Sequence, residues 1–550
     1  MPLVSRTFDQ LIDFTRTSAA TYVDASGRIV PTPASRNLLT FTQEFDNAAW
    51  VKGAATVTAN ATTAPDGTIT ADKVVATAAS GGHAVYEASP SLTNATTYTY
   101  SFYVKASGYS LVRLAEGGNG FFYASFDLAN QTVVSGTTGG GQFVSAAIVS
   151  AGDGWFRCSV VFTSSGGQVY PALIGYPAGA ALNGFGAQYT GDGTSGVFLW
   201  GAQLEAASTA TDYTRNNGGV FPPRFDYDPV TLAPKGLLIE EQRTNLLLRS
   251  EEFENASWDK SIATITANYA VSPDGTADAD RFVSAGGSFP QIAQSVTVLT
   301  GDHTVSIYVK SDGTSQIQQT LIFDGSSVNF TPTDTWTRIT LTKNVTVSAA
   351  KSVVIATNSA SAAASSFLIW GAQLEAGSFA TSYIPTVASQ VTRTADVATI
   401  TGANFSQWYN QSEGTFVAQF DMIGGSAANT NNQIVLSPIA DASNRHIIYN
   451  ADAQIAGYTV VGGVTQAYLP MGSLAANTTS KMAYAYQVNN FAASQNGGAV
   501  STDTSGSLPV PTLMGIGSGG LGGNQLNGHI RSIRYYPTRL SNAQLQALTA

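Results

Sequence analysis

The chain has 550 residues, of which 11% are charged and 10% aromatic, and its formal net charge is −10. At about one domain per 100–200 residues this length gives three to five domains, and so few charges with so many aromatics exclude a disordered chain. No run of lysine or arginine occurs, which speaks against binding nucleic acid by phosphate neutralisation or adsorbing to anionic membranes.

Glycine, threonine, serine and alanine are abundant, and with the aromatics they predict sheets rather than helical bundles. No stretch of 18 apolar residues is present, and Met1-Pro-Leu-Val-Ser-Arg-Thr has neither the basic start nor the apolar run of a secretory signal. A soluble product made in the cytoplasm without a Sec signal is expected. Cys158 is the single cysteine, so it forms neither an internal disulfide nor a thiolate metal site. Its place in Trp155-Phe-Arg-Cys-Ser-Val-Val-Phe162 predicts a buried, inert thiol.

Residues 1–36 open with Phe8-Asp-Gln-Leu-Ile-Asp-Phe14, read as a short helix, followed by a strand, a Ser-Gly turn and a second strand at Ile29. So short a segment cannot bury a core and must dock elsewhere. In residues 37–214, polar and apolar positions alternate from Ala95 to Val104, and strand-length runs follow at 108–114, 121–126 and 155–162. Glycine-rich turns separate them. Many short strands without a helical period predict a two-sheet sandwich.

Residues 215–244 read as a connector stiffened by Pro222, Pro223 and Pro229, with a strand resuming at Lys235. Residues 245–386 form a second, shorter module. Residues 387–550 share no repeat with the rest. Alternating strands at 413–421 and 529–536, then a helix with Ser541 as N-cap and Leu545 and Leu548 on one face, predict a third sandwich closed by a short helix. The expected fold is all-β: three tandem jelly-roll sandwiches with a small N-terminal unit.

The duplication is explicit. Phe198-Leu-Trp-Gly-Ala-Gln-Leu-Glu-Ala206 recurs within 367–376, each copy followed by a serine, Ala-Thr and a tyrosine (Tyr213, Tyr383). Asn37-Leu-Leu to Trp50-Val-Lys52 matches Asn245-Leu-Leu to Trp258-Asp-Lys260, and Ser101-Phe-Tyr-Val-Lys105 matches Ser306-Ile-Tyr-Val-Lys310. The repeat far exceeds a solenoid unit of roughly 20–50 residues, so each copy should hold its own core. The repeated Trp50, Trp200, Trp258 and Trp370 are expected in those cores.

Catalytic signals are weak. Glycan hydrolysis needs two carboxylates about 5–10 Å apart, whereas the few acidic residues fall mostly in turns. His83, His303, His446 and His529 are isolated in sequence, and Gly191-Asp-Gly-Thr-Ser-Gly196 lacks the lysine of a phosphate loop. The chain is therefore expected not to be an enzyme.

The Asn-Leu-Leu…Trp, Tyr-Val-Lys, Gly152-Asp-Gly-Trp-Phe-Arg-Cys158 and Trp-Gly-Ala-Gln-Leu-Glu-Ala strings resemble the sandwich modules of phage tail fibres and virion spikes. Similar modules occur in the head spikes of gene transfer agents, and their shape is related to jelly-roll carbohydrate-binding modules. The second module lacks the third string and offers only Thr335-Trp-Thr-Arg338, which weakens the case for a shared ligand face. The stretches from Phe14 to Gly27 and from Arg224 to Asn245 are also typical of such proteins. There they lie close together, so residues 1–36 are expected to attach to the virion and pack with 215–244, with the first module inserted between. The end, from Gly528 to Ser541, resembles concanavalin-like and laminin-G-like sandwiches.

The resemblance implies a structural virion protein that binds host surface polysaccharide, contacts other virion proteins through its N-terminus and assembles as a homo-oligomer on the virion surface. The alternatives are a decoration or baseplate spacer without ligand, and a capsule depolymerase. Aromatic and polar residues that do not repeat between modules are the expected sugar-contacting set: His83, Tyr86, Tyr109, Arg113 and Tyr123 in the first module, Trp408 and Tyr409 in the third domain. A structural Ca²⁺ would draw on the recurring oxygen donors Gln203, Glu205, Gln373 and Glu375.

Overall fold

The computed structural model describes residues 8–33, 36–116, 122–137, 142–182, 186–218, 221–314, 316–357, 363–428, 432–520 and 522–550. It is an all-β protein with short helices, of which the longest among the described residues is Asn542–Thr549. The chain divides into two compact units, Met1–Thr15 with Ala34–Val220, and Arg16–Pro33 with Phe221–Ala550.

In the first unit two six-stranded sheets enclose one core. In spatial order one runs Thr132–Thr137, Tyr123–Asp127, Leu111–Glu116, Pro171–Tyr176, Ala84–Tyr86, Val51–Gly53; the other runs Phe143–Gly152, Trp155–Thr163, Thr97–Ser107, Gly196–Glu205, Ala71–Ala76, Ala55–Thr62. Alternation puts Tyr98, Tyr100, Phe102 and Val104 of one strand into the core against Phe45, Trp50 and Leu114. Each such side chain contributes roughly 1.5–3 kcal/mol by leaving water. Cys158 is fully buried here, and burial pushes its thiol up, away from the reactive thiolate.

The second module, in the other unit, has the same plan with five strands per sheet. Thr264–Ala270, Ala279–Ser284, Ser365–Ala376, Gly301–Ser311 and Thr337–Val345 form one sheet; Asp259–Ser261, Gln291–Val298, Ala349–Thr357, Gln319–Phe323 and Ser326–Phe330 form the other. Matched strand by strand through the shared motifs, it has no partner for Thr132–Thr137 or Phe143–Gly152. The first module thus carries one extra edge strand on each sheet.

The connector is not a linker. Arg224–Tyr227 and Pro234–Ile239 are the first two strands of a sheet that continues through Gly528–Tyr536, Glu413–Phe420, Ser480–Gln487, Phe491–Gln495 and Ser501–Asp503. The facing sheet includes, in order, Val397–Ile400, Leu513–Ile516, Ile434–Asp441, Asn444–Ala451, Gln454–Val461 and Val464–Pro470. The last sandwich therefore includes 224–239, and the second module is inserted into it. The neck of that insertion is a short ladder pairing Arg243–Asn245 with Val391–Arg393. The hairpin of Thr21–Val23 and Ile29–Pro31 belongs to the same unit. Its turn is set by Asp24, whose Oδ1 accepts from the amides of Ser26 and Arg28 at 2.8 and 3.0 Å. Ser541 caps the final helix reciprocally with Gln544, and Leu545 is buried against Val417 and Ala483.

Candidate functional site

The repeated motif residues build the same internal clamps in both modules. The Asn37 amide donates to the carbonyls of Ala202 and Thr214 at 2.8 and 2.9 Å and accepts from Leu39 and Leu204. Asn245 donates to Ala372 and Ile384 at 3.0 and 2.8 Å and accepts from Leu247 and Leu374. One side chain thus ties the opening segment to the closing strand and to the exit of its module. At the Trp-Gly step, Gly201 and Gly371 have φ of 62° and 64°, and a Cβ there would meet Tyr103 at 3.0 Å or Tyr308 at 3.1 Å. Only glycine fits that bend.

Gln203, Glu205, Gln373 and Glu375 are all buried. Glu205 accepts from the Thr211 amide at 2.9 Å and its hydroxyl at 2.5 Å, and Glu375 accepts from Thr381 at 2.9 and 2.6 Å. Gln203 and Gln373 donate to these carboxylates at 2.7 and 2.6 Å. The oxygens expected to face calcium are therefore committed to the Ala-Thr loop that follows each closing strand. Among the described residues no cluster of three or more His, Cys, Asp or Glu side chains could hold a metal ion.

The third motif is present in both modules despite its missing letters. Arg157 donates to the Thr211 carbonyl at 2.5 Å and lies 5.2 Å over Tyr103; Arg338 donates to the Thr381 carbonyl at 2.6 Å and lies 5.3 Å over Tyr308. Trp155 and Trp336 donate to the carbonyls of Thr63 and Val271. A further pair went unread: Asp72 accepts from the Phe45 and Asn60 amides, and Asp280 from Phe253 and Asn268. Burial outweighs those bonds and pushes the carboxyls up to about 6 and about 7. The repeated Thr-Ala-Asn string, with aspartate 12 residues after its asparagine in each copy, was the available signal.

The densest polar centre lies where the chain leaves and re-enters the second unit. Arg16, Arg224, Glu240, Arg393 and Asp396 are all buried. Asp396 bridges Arg16 at 2.8 Å and Arg224, while Glu240 bridges Arg224 at 2.7 Å and Arg393 at 2.9 Å. Glu240 also accepts from the amide and hydroxyl of Ser382, both at 2.7 Å. Burial alone would raise the Glu240 carboxyl, but Arg393 and Arg224 hold it well below the usual carboxylate range. The centre is sealed from solvent and joins segments that flank both insertions; it is a weld. Beside it, His529 sits between two carboxylates, Nδ1 at 2.7 Å from Asp421 and Nε2 at 2.9 Å from Asp226. Burial opposes the charged imidazole, yet these two partners raise its pKa.

The expected sugar contacts are either buried or half-buried. His83 and Tyr109 are buried rather than exposed, and both rings meet Tyr189, with centroids at 4.5 and 5.7 Å. Arg113 is buried too; it donates to Ser125 and lies 4.4 Å over Tyr123, which is half-buried. Tyr86 is half-buried and meets Tyr170 edge-on at 6.5 Å. Tyr409 is buried, stacked on Phe405 at 4.7 Å, with Trp408 edge-on to Tyr535 at 4.9 Å. His83 and Tyr109 pack on Tyr189, and Tyr409 packs on Phe405, so these rings turn inward.

A row of tyrosines lies on the outer face of the last sandwich, with Tyr468 exposed and Tyr449 and Tyr458 half-buried. His446 and Thr459 point inward, joined at 2.8 Å, so their neighbours Tyr449 and Tyr458 point out. Tyr458 pairs in register with Tyr468, which is 39% exposed. The rings of Tyr449, Tyr458 and Tyr468 follow one another at 5.6 and 6.0 Å across three adjacent strands. Beyond the row, Pro470 borders an open cleft of about 500 Å³ lined by Met471, Ser473, Asn496 and Ser501.

These sheets define an all-β protein of jelly-roll-type sandwiches. No protein-family model matches the chain, and no curated protein matches it. Among solved structures it is similar to the N-terminal CBM22-1–CBM22-2 tandem, a pair of carbohydrate-binding modules, of Xyn10C from Paenibacillus barcinonensis. The identity is 11%, the match covers 63% of this chain and 99% of that one, and the TM-score is 0.20. It is also similar to domains LG4-5 of the mouse laminin alpha1 chain, at 8% identity over 53% of this chain and 91% of that one, with a TM-score of 0.19.

Proposed function

We propose that this chain is a non-enzymatic attachment protein of a phage or phage-like particle, displayed on the virion surface and binding host polysaccharide through its sandwiches. The observation that carries the reading is the row of Tyr449, Tyr458 and Tyr468 on the outer face of the last sandwich, with Tyr468 exposed and the other two half-buried, beside a cleft bordered by Pro470. Tyrosine offers a flat apolar face and a hydroxyl at little entropic cost, the combination suited to a neutral, hydroxyl-rich polymer. Weak contacts suffice where several copies engage one polymer, because linked sites gain avidity without new bonds. The motif resemblance to virion modules supports the setting.

A glycan array probed with the full chain and with Tyr458→Ala and Tyr468→Ala tests this. Binding weakened at least tenfold, with unchanged melting, is expected. Release of shortened saccharide in a parallel cleavage assay would replace the non-enzymatic reading with a depolymerase. A second reading, a spacer without ligand, draws on the burial of His83, Tyr109, Arg113 and Tyr409; binding to no surface polymer would favour it.

A further inference from the structure

The two modules serve as each other's control, and their difference is concentrated at one place. The first module extends each sheet by one strand, Thr132–Thr137 on one and Phe143–Gly152 on the other, and both are terminal in sheet order. Residues 128–152 contain no Asp, Glu, Lys, Arg or His, in a chain where 11% of residues are charged. On these strands Val134, Val144 and Val149 are 55%, 56% and 61% exposed. The corresponding terminal strands of the second module are Ser326–Phe330 and Thr337–Val345. They expose no large apolar side chain, and the longer one carries Arg338 and Lys343.

An edge strand is a row of backbone donors and acceptors ready to pair, and proteins normally blunt it with charge, proline or a bulge. The opposite edge of the same sheet follows that rule: Ala55–Thr62 is bulged between Thr58 and Thr62, with Asn60 at φ 53° held by Asp72. Phe143–Gly152 does not. Its register shifts only near its ends, at 143/145 and 150/152, leaving Ser145–Ser150 regular, uncharged and without proline.

We infer that this edge is an interface between two copies of the chain, with Phe143–Gly152 of each pairing antiparallel about a two-fold axis. Self-pairing suits it because an antiparallel match of one segment with itself is self-complementary. Two chains of net charge −10 also repel except where neither presents charge. An axis through Ala147 pairs residues 143–151 over about 30 Å, setting Ala147 opposite its own mate and Val149 opposite Ser145. The inference does not rest on saccharide binding.

Sedimentation of the full chain from 1 to 100 µM (about two decades of concentration) tests it. The wild type is expected to dimerise, Val149→Lys to shift dissociation at least tenfold toward monomer with unchanged melting, and Val347→Lys, which replaces a 63% exposed valine of the second module, to behave as wild type. Ala147→Cys should yield a disulfide-linked dimer, since buried Cys158 cannot compete. A wild type monomeric at 100 µM (about the top of the range) would overturn the inference. So would a dimer indifferent to Val149→Lys that Ala147→Cys fails to cross-link. A trimer sensitive to Val149→Lys would retain the surface and overturn the two-fold arrangement.

Discussion

Asp396→Asn is the sharpest test of the buried weld. The substitution keeps size and one acceptor but removes the carboxylate paired with Arg16 and one of the two paired with Arg224, while both guanidiniums stay sealed from water. Breaking one partner of a buried ion pair costs about 3–5 kcal/mol, because the remaining charge is left uncompensated. The second unit has about 350 residues; at about 2.1 cal/mol/K per residue its unfolding entropy is about 0.7 kcal/mol/K, so the midpoint falls by about 4–7 °C. The first unit contains none of these five residues. Scanning calorimetry of the full chain should therefore show one transition lowered by that amount and another unmoved. A shift below about 1 °C would refute the claim that the weld needs its carboxylate. Equal shifts in both transitions would refute its confinement to the second unit.

Two pH effects with opposite causes follow from single buried groups. Glu87 accepts from Thr40, and burial pushes its carboxyl up to about 7; the second module places Gln294 at the same contact, bonded to Leu248. A raised carboxyl binds its proton more tightly when folded, so its contribution is complete below about pH 4.5 and is lost as pH rises through about 7, about 3 kcal/mol in all. Glu87→Gln should raise the first unit's midpoint by roughly 7 °C at pH 8 and leave it unchanged at pH 4; equal effects at both would sink the assignment. For His529, raised between Asp226 and Asp421, stability is complete below about pH 6.5 and is lost as pH climbs through the raised value. The second unit of the wild type should lose stability as pH rises above about 6.5, and His529→Asn should flatten that slope; a slope preserved in the variant would place the titration elsewhere.

The sequence by itself determined the all-β character and the two modules, because period-two alternation and a repeated closing string are local features. It also marked Ser541 as a helix cap, which needs only its neighbours Gln544 and Leu545. What it could not decide was which residues meet across the chain. Gln203 and Glu205 read as free oxygen donors until Thr211 folded back onto them. Thr335-Trp-Thr-Arg338 read as a lost motif until Arg338 was seen on the Thr381 carbonyl. Residues 224–239 read as a linker because their partner strand, Gly528–Tyr536, lies some 300 positions away. Exposure was the least legible property: alternation assigns a ring to a face, but only packing decides whether another element covers that face, as Tyr189 covers His83 and nothing described covers Tyr468. The charge weld joins residues as far apart as Arg16 and Asp396, and a contact of that reach is written in no segment of the chain, only in the closure that burial imposes.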